Sequence, residues 1–369
     1  MLDVIRAEIH NIIVNEEEFE VRQPILKRYK DILEMIVQED NCSVEAYSLL
    51  AVIANELRLS NEVSVNYLTN CYTRIGKLFS KEEYAVWATN MAYFYLEEGS
   101  LQHIKSAEEL LKKAVSQEIL FPQTYYAYGR TLYELGDYEL ASKQFHKCYI
   151  LTKEKKYRFN EAISLIKSGK SELAIQLLYE IQIYPFKTKL DAKITCVLGE
   201  ELARHGEMSE AKKYANQLYT SSFCAFAIDE MELADFMYLI ENYGAAKELY
   251  EQCNHYLINE KWISRYFYVL NCLGLKQTAV KKMKAIKKGI RNSLLDVKHH
   301  RSLFEEISER EEYIELEKQR LKNIKEGYAR VFDQGEKPEL EIHYDIQYFC
   351  FFIGCPRHAV KQMDMEFRK

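Results

Sequence analysis

The amino-acid sequence predicts an all-α fold in which about six helix-turn-helix pairs stack into a solenoid. First, the chain has only 5 Pro and 13 Gly among 369 residues, so few residues interrupt helices. Second, small residues recur at a fixed separation of 12 positions along much of the chain. Third, glycines lie between most of these paired residues, where a helix often ends in a left-handed residue. Together these observations predict helix pairs joined by tight turns.

The clearest pair of helices is predicted around Gly129 and Ala141, which are 12 positions apart. Large residues such as Tyr128 and Phe145 lie close to them, and Gly136 lies between the two predicted helices. Two helices approach closely only where a small residue on one admits the other, and large residues fill the space beside it. Gly129 and Ala141 are therefore predicted to lie at the contact between the helices of this pair.

The same spacing recurs in the rest of the chain. A separation of 12 also joins Ala162 to Ala174, Gly199 to Ala211, Ala234 to Ala246, and Phe267 to Ala279, where the first residue is large. Ala92 and Ala107 are 15 positions apart, which we interpret as a three-residue insertion in the loop around Gly99. Successive first-helix residues of this set are 33 to 37 positions apart, close to a period of about 34. A generic helical bundle, the alternative fold, would explain neither the spacing nor the turn glycines.

The pattern of large, small and turn residues around Gly129, Gly136 and Ala141 resembles the tetratricopeptide repeat, and the resemblance covers roughly residues 84–290. It implies tetratricopeptide-like helix pairs stacked into a right-handed superhelical solenoid, with a concave groove lined mainly by the first helices. The composition, rich in Lys, Ile, Glu and Tyr, is similar to that of proteins from low-GC bacteria. Cytosolic tetratricopeptide proteins of such bacteria include receptors for peptide pheromones and regulators that inhibit a phosphorelay or a transcription factor.

The regions before and within the repeats are predicted to be helical throughout. We expect residues 1–80 to form N-terminal capping helices with a degenerate repeat, and residues 81–291 to form the repeat solenoid of about six helix pairs. Pro24 is expected to begin one of the N-terminal helices. Residues 46–57 and 63–78 are expected to form the degenerate pair.

Residues 292–369 are predicted to form a long charged helix and C-terminal capping helices. One helix over residues 301–332 is predicted from apolar residues spaced by seven, namely Ile307, Ile314, Leu321 and Tyr328. This helix either lies along the end of the solenoid or pairs with a second copy of the chain in a homodimer. A linker is predicted at residues 333–338, and the apolar residues between 342 and 363 predict one or two terminal helices.

The concave groove is the candidate binding site. The resemblance implies that residues one and four positions after the small residue of a first helix face the groove, together with two residues three positions before it. The predicted peptide-binding residues are accordingly Tyr93, Tyr126, Arg130, Tyr133, Phe159, Glu200, Asp235, Tyr238, Tyr268 and Asn271. Tyrosine rings offer rigid contact area, and Arg, Asp and Asn pair with a peptide's backbone and termini. The alternative is that many of these tyrosines only cap the core between helices.

The composition argues against binding to nucleic acid or membranes. With 50 basic and 56 acidic residues the net charge is -6, so no global positive field attracts DNA. Residues 1–40 contain Glu16, Glu17 and Glu18 but no basic recognition helix. Neither a signal peptide nor a membrane-spanning stretch is recognisable, so we expect a cytoplasmic protein whose 9 cysteines are reduced. The basic run over residues 276–291 is either a solvated helix face or a surface for phosphates or an acidic partner.

Patterns for catalysis and metal binding are weak. No phosphate-cradling Gly-rich loop, Gly-x-Ser-x-Gly elbow or His-Glu-x-x-His pattern occurs. Zinc is an alternative for His343, Cys350, Cys355 and His358, but the apolar residues 351–353 favour burial of these cysteines in the core. We therefore predict a non-enzymatic scaffold or adaptor, regulatory in role and without cofactor or metal, that binds a protein or peptide. The alternatives are an intracellular signalling-peptide receptor that modulates a partner regulator, and a self-associating structural subunit.

Overall fold

A computed structural model of the chain describes residues 2–15, 18–39, 42–221, 228–253, 260–299 and 307–357. Over these residues the regular secondary structure is helical and no β-strand occurs. A short 3-10 helix, Gly76–Leu78, joins the fourth and fifth α-helices. The predicted all-α fold of successive helices packed in pairs is confirmed over these residues. In chain order the helices are α1 (Leu2–Asn15), α2 (Phe19–Gln38), α3 (Val44–Glu56), α4 (Asn61–Ile75), α5 (Lys81–Glu98), α6 (Leu101–Val115), α7 (Pro122–Glu134), α8 (Tyr138–Thr152), α9 (Lys155–Lys167), α10 (Ser171–Ile181), α11 (Lys189–Arg204), α12 (Met208–Thr220), α13 (Glu230–Leu239), α14 (Tyr243–Gln252), α15 (Glu260–Cys272), α16 (Lys276–His299) and α17 (Ile307–Gln334).

The small residues of the repeat lie at helix contacts, as predicted. Gly129 on α7 and Ala141 on α8 are both buried. A Cβ atom added at Gly129 would lie 2.8 Å from Cε1 of Phe145 on α8. A Cβ atom added at Gly199 on α11 would lie 2.9 Å from Cε1 of Phe236 on α13. Both distances are shorter than ordinary van der Waals contact, so glycine is what permits these helices to approach so closely.

The turns within the pairs contain left-handed residues. Gly136 has a φ angle of +83° between α7 and α8, and Asp137 then caps α8 by accepting from the backbone N–H of Leu140 at 3.2 Å. Between α13 and α14 the left-handed residue is Glu241, with a φ angle of +63°. A left-handed conformation costs a non-glycine residue about 1–2 kcal/mol, so this turn departs from the glycine pattern. Positive φ angles also occur at Gly99, Gly169, Gly206 and Gly274.

The N-terminal helices differ from the prediction in one respect. Helix α2 begins at Phe19 and Pro24 lies inside it, so the prediction that Pro24 begins a helix is wrong. Pro24 cannot donate to the carbonyl of Glu20, but burial of Leu26 and Leu33 outweighs that loss, since each buried leucine contributes about 1.5–3 kcal/mol. The predicted degenerate pair is present as α3 and α4, which pack against each other.

The chain forms two compact units. The first unit comprises residues 1–177 and 345–369, and the second unit comprises residues 178–344. A hydrophobic core in the first unit combines side chains of α1 to α5 with Phe352 and Ile353. Residues remote in sequence therefore complete the core of the first unit. The predicted division of the chain into three regions stays a prediction.

Helix α17 packs against α15 and α16 within the second unit. Of the predicted apolar stripe, Ile307 is 76% exposed, whereas Ile314, Leu321 and Tyr328 are half-buried. A Cβ atom added at Gly327 would lie 3.3 Å from Cβ of Ser264 on α15 and closer still to its Oγ. Gly327 therefore permits a close approach of α17 to α15, and the fully buried residues of α17 are Glu317, Ile324, Gly327 and Val331. Residues 301–306 lie outside the described residues, and the homodimer through 301–332 stays a prediction.

Residues 335–357 follow α17 without forming a helix. The prediction of terminal helices is therefore wrong for residues 342–357, and residues 358–363 lie outside the described part of the chain. The physical reason is that side chains of the first helices supply hydrogen-bond partners to this extended backbone, which removes its need to bond to itself. Across the part of the chain that the structure describes, no helix combines the length and apolar character needed to cross a bilayer.

Candidate functional site

First helices of successive pairs in the first unit contact an extended stretch of the same chain. We name residues 345–357 the return segment. It meets α9 at Gln347, α7 at Phe349, α5 at Ile353 and α3 at Arg357. It therefore crosses these helices in the reverse of their order in the sequence. Side chains that contact it form what we name the groove, which includes Glu56, Asn90, Tyr93, Tyr126, Arg130, Tyr133, Tyr157 and Asn160.

Asn160 on α9 holds the backbone of Gln347 with both groups of its side-chain amide. Its Nδ2 donates to O of Gln347 at 3.0 Å, and its Oδ1 accepts from the N–H of Gln347 at 2.7 Å. Asn160 is fully buried, so water competes little for these bonds. Because both partners on the return segment are backbone atoms, this contact recognises an extended backbone rather than a particular side chain.

Asn90 on α5 makes the same arrangement with Ile353. Its Nδ2 donates to O of Ile353 at 3.0 Å, and its Oδ1 accepts from the N–H of Ile353 at 2.7 Å. Nδ2 of Asn90 also donates to Oγ of Ser48 on α3 at 3.0 Å, which fixes the orientation of the amide. Asn90 is fully buried as well. The groove thus contains two equivalent clamps on the backbone of the return segment.

The number of residues between the two clamps suits an extended chain. Gln347 and Ile353 are six residues apart, and six residues of an extended chain span about 20 Å. Asn160 and Asn90 lie on α9 and α5, two steps apart along the first helices. Packed helices are about 8–10 Å apart, so two steps also cover about 20 Å. Each step along the groove therefore accommodates about three residues of extended chain.

Tyr126 on α7 lies between the clamps. Its hydroxyl donates to O of Gln347 at 3.1 Å and accepts from the N–H of Phe349 at 3.3 Å. The rings of Tyr126 and Phe349 stack with their centroids 3.9 Å apart, and Tyr157 meets the ring of Phe349 edge-on at 5.3 Å. Burial raises the pKa of the Tyr126 hydroxyl, so the group stays protonated and able to donate.

Arg130 and Tyr133 extend the groove along α7. The guanidinium of Arg130 lies 5.0 Å from the ring centroid of Tyr348, within the range of a cation–π contact. It also lies 3.6 Å from a carboxylate oxygen of Glu97. The hydroxyl of Tyr133 lies 3.4 Å from Oδ1 of Asp345. Unlike the clamps, these contacts depend on side chains of the return segment, so they distinguish one segment sequence from another.

The return segment is most deeply buried at residues 351–353. Phe351, Phe352 and Ile353 are at most 6% exposed, whereas Tyr348 is 49% exposed. The ring of Phe351 meets the ring of Tyr93 on α5 edge-on at 5.4 Å. The segment therefore has a half-exposed first part on α9 and α7 and a buried second part on α5.

A charged contact ends the described part of the return segment. Nε and Nη2 of Arg357 donate to the two carboxylate oxygens of Glu56 on α3, each at 2.7 Å. This hydrogen-bonded pairing raises the pKa of the Arg357 guanidinium. Glu56 is 7% exposed, and Nη2 of Arg22 lies 3.7 Å from it. Two parallel bonds of this kind suit the planar fork of a guanidinium and not the point charge of an ammonium.

Cys350 and Cys355 lie before and after the turn at Gly354. The backbone N–H of Cys355 donates to O of Phe352 at 3.2 Å in this turn. A hydrogen bond from the Cys355 thiol lowers the pKa of Cys350, and both side chains are half-buried. Over the described residues, no group of three or more His, Cys, Asp or Glu side chains is arranged to hold a metal ion. His358, part of the zinc alternative, lies outside the described residues.

In the second unit, residues 337–344 also contact first helices. The hydroxyl of Tyr238 on α13 donates to O of Pro338 at 2.6 Å. The hydroxyl of Tyr344 donates to Oε1 of Glu201 on α11 at 3.2 Å. The stretch that precedes the return segment is thus held by tyrosine and carboxylate groups of the second unit.

Glu200 on α11 is a buried carboxyl group beside this stretch, with 4% exposure. Burial raises its pKa well above the usual range, and the charge of Glu232 on α13 raises it further. The hydrogen bond with Tyr344 opposes this rise, and the charges of Asp235 and Glu201 add to it. The protonated, neutral form of Glu200 is therefore favoured in the folded chain.

Six of the ten predicted peptide-binding residues contact the extended stretches of the chain itself, namely Tyr93, Tyr126, Arg130, Tyr133, Glu200 and Tyr238. The other four are placed differently. Phe159 is fully buried in the core, and Asp235 pairs with Nε and Nη2 of Arg265 at 2.8 and 2.7 Å. Tyr268 packs edge-on against Tyr238 with centroids 5.9 Å apart, and Asn271 is exposed. The role of these ten residues in binding a peptide stays a prediction.

The two clamp residues, Asn90 and Asn160, were not among the predicted site residues. Each lies two positions before the small residue of its first helix, Ala92 and Ala162 respectively. Asparagine is unfavourable in a helix interior, because its side chain competes for backbone hydrogen bonds. Its occurrence at the same repeat position in two first helices is the signal in the sequence that identifies such residues.

Neither a protein-family model nor a curated protein matches this sequence. Among solved structures, the yeast Tom70 is similar with a TM-score of 0.40 and 14% identity, over 86% of this chain and 63% of that chain. A structure of Naa15/Naa10 bound to HypK-THB is similar with a TM-score of 0.37 and 14% identity, over 90% of this chain and 53% of that chain. This chain therefore spans less than two thirds of the length of either.

Proposed function

We propose that this protein is a non-catalytic binding module, regulatory or adaptor in role, that recognises an extended polypeptide along the first helices of its repeat pairs. The return segment is the observation that carries this proposal. Asn160 and Asn90 hold its backbone at two points six residues apart. The groove therefore accepts an extended chain through bonds that any polypeptide backbone can make.

The chemistry of the groove supports a binding role rather than catalysis. Burial raises the pKa of the Tyr126 and Tyr133 hydroxyls, so neither is activated as a nucleophile or base. The amides of Asn90 and Asn160 are occupied by backbone partners. A cytoplasmic location is part of the proposal, motivated by the thiol-rich composition with 9 cysteines.

A receptor for a short signalling peptide is the narrower form of this function. The spacing of the clamps favours it, because a peptide of about seven residues in extended form reaches both asparagines. The aromatic and charged groups between the clamps, Tyr126 and Arg130, then supply the discrimination between peptides.

The proposal is tested with a peptide offered from solution. A labelled peptide with the sequence of residues 343–357 is titrated, under reducing conditions, with the full chain carrying Phe349→Ala. That substitution weakens the chain's own segment and leaves every groove side chain intact. Fluorescence anisotropy is expected to rise to saturation. Adding Asn160→Ala is expected to weaken binding about 5- to 150-fold, because two hydrogen bonds to the peptide backbone are lost, which costs about 1–3 kcal/mol.

Asn66→Ala is the matched control for this titration. Asn66 lies on α4 in the first unit and is exposed, so its replacement should leave the affinity unchanged. The proposed function is contradicted if the folded Phe349→Ala chain shows no saturable binding. It is equally contradicted if Asn160→Ala and Asn66→Ala have the same effect on the affinity.

A further inference from the structure

The return segment occupies the groove through contacts that a segment of another chain can also make. Within the described part of the segment, the backbone N–H of Cys355 donates to O of Phe352 and closes a turn. Elsewhere its backbone is held by side chains such as Asn90 and Asn160. A strand in a sheet is tied to its neighbour along its whole length. This segment is instead held at separate points, each of which a competing chain can take over in turn.

We propose that the return segment is an intramolecular ligand that occupies the groove until an external polypeptide with the same pattern of aromatic and arginine residues displaces it. This inference rests on the proposed function and adds the class of partner. The partner is an extended segment with aromatic residues at the positions of Phe349 and Phe351 and an arginine at the position of Arg357. We name the groove surfaces that hold these side chains the aromatic seats and the arginine seat.

The aromatic seats are defined by rings on three first helices. Tyr126 stacks on Phe349 at 3.9 Å between centroids and meets Phe351 at 5.7 Å. Tyr157 on α9 and Tyr93 on α5 meet the same two rings edge-on. Stacked and edge-on rings contribute about 0.5–1.5 kcal/mol beyond the area that they bury. A partner without aromatic residues two positions apart would leave these tyrosine faces uncovered.

The arginine seat is defined by a buried carboxylate. Glu56 is 7% exposed and accepts both bonds of the Arg357 fork at 2.7 Å. Arg22 lies farther away, at 3.7 Å. A segment with a neutral residue at this seat would leave a buried charge with a weaker partner, which is unfavourable. A lysine there would provide the charge without the two parallel bonds.

Displacement is expected to begin at the Asn160 clamp, because Gln347 there is half-buried whereas Ile353 at the Asn90 clamp is 1% exposed. Near Gln347, Asp345 and Tyr348 are exposed, Phe349 is half-buried and Ile346 is buried. An external chain that takes the Asn160 clamp first can then replace Phe349 on Tyr126 before the buried residues 351–353 are released. The exchange thus proceeds from α9 towards α3 in steps of about three residues.

Occupancy within one chain lowers the apparent affinity for an external peptide. A tethered segment competes at an effective concentration on the order of 1 mM. If the segment and an identical peptide have an intrinsic dissociation constant of about 10 μM, the peptide binds about 100-fold more weakly to the occupied groove. A substitution that weakens only the return segment's own binding to the groove should remove most of this difference in affinity.

The test compares the full wild-type chain with the full Phe349→Ala chain. The probe in both titrations is the labelled peptide of residues 343–357 with its wild-type sequence. Binding to Phe349→Ala is expected to be at least about tenfold tighter than to wild type, because losing the half-buried Phe349 ring and its contacts with Tyr126 and Tyr157 weakens only the tethered competitor. Glu339→Ala, an exposed position before the return segment, is the matched control and should bind as wild type does.

Three outcomes separate this inference from the proposed function. Equal binding to both chains overturns the occupancy and leaves the proposed function standing. Binding to neither folded chain overturns both. A wild-type dimer in sedimentation that Phe349→Ala converts to a monomer would mean that two copies exchange their segments, which overturns occupancy within one chain.

The arginine seat is tested with two altered peptides on the Phe349→Ala chain. A peptide with Arg357→Ala is expected to bind at least about tenfold more weakly than the wild-type peptide, and one with Arg357→Lys is expected to fall between the two. Equal binding by all three peptides would overturn the assignment of an arginine-bearing partner.

Discussion

Replacing Asn160 by alanine is expected to release the first part of the return segment while the helices stay folded. The substitution removes an acceptor 2.7 Å from the N–H of Gln347 and a donor 3.0 Å from its carbonyl oxygen. The carbonyl keeps the hydroxyl of Tyr126 at 3.1 Å. Alanine is also the best helix former, so α9 itself should lose nothing by the change.

The magnitude follows from these contacts. Each hydrogen bond contributes about 0.5–1.5 kcal/mol, and a buried N–H left without an acceptor costs about 1–3 kcal/mol. Because Asn160 is fully buried, the expected loss for the bound state of the segment is about 1–3 kcal/mol. That loss corresponds to a population of the released state that is about 5- to 150-fold larger.

Amide hydrogen exchange of the full chain measures this population. The decisive amide is that of Phe349, whose own acceptor, the hydroxyl of Tyr126, is unchanged by the substitution. Faster exchange there reports release of the segment, whereas faster exchange at Gln347 alone would report only the missing bond. We expect exchange at Phe349 to accelerate about 5- to 150-fold in Asn160→Ala and to stay as in wild type in Asn66→Ala.

If Phe349 exchanges at the same rate in wild type and Asn160→Ala while the circular dichroism is unchanged, Asn160 does not hold the segment. If Phe349 is unprotected in the wild type, the segment is not held in the groove at all.

Three further predictions concern the helices and two titrating groups. Gly129→Ala is expected to lower the free energy of unfolding by about 1–3 kcal/mol, because its Cβ would lie 2.8 Å from Phe145. Gly289→Ala, where nothing lies within 4 Å of an added Cβ, is expected to raise the free energy of unfolding by up to about 1 kcal/mol. Urea denaturation in which both glycine substitutions change the free energy of unfolding in the same direction would contradict this expectation. The folded-state pKa of Glu200 is raised by burial, so wild type loses stability as the pH rises from the unfolded pKa of about 4.3 through the folded value. The Tm of Glu200→Gln should therefore exceed that of wild type by more at about pH 8 than at about pH 4. An equal difference in Tm at both pH values would rule out a raised folded-state pKa of Glu200. The pKa of Cys350 is lowered by a hydrogen bond from the thiol of Cys355, so the midpoint of its alkylation rate by iodoacetamide should lie at a lower pH than that of free cysteine measured alongside. A midpoint at or above that of free cysteine would show the bond to be absent.

Residues that act within one helix pair were predictable from the sequence. Gly129 and Ala141 lie at the contact between α7 and α8 that their spacing predicted. Tyr126 and Arg130 lie on α7 and contact the return segment, while their role in binding a separate peptide stays a prediction. Helix contacts of this kind join residues that are close in the sequence and recur with a period of about 34 residues, so the repeat spacing predicts them.

Residues whose role depends on a partner from another repeat were not predictable in the same way. Asp235 was expected to face a bound peptide, but it pairs with Arg265 on the next first helix. Asn90 and Asn160 are fully buried. A residue at a buried position of a helix is assigned to the core unless its hydrogen-bond partner is known. Exposure and pairing are properties of the assembled helices, which a single helix pattern does not contain.

The sequence by itself determined the helix pairs, because their spacing, turn residues and apolar faces are local and repeat along the chain. It did not determine the conformation of residues 342–357, whose apolar content fits a helix as well as a strand. Only the tertiary structure decided it, since the clamps join residues 187 and 263 positions apart in the chain. Side-chain amides fixed on α9 and α5 bond the backbone of Gln347 and Ile353, and a backbone with such partners does not need helical hydrogen bonds.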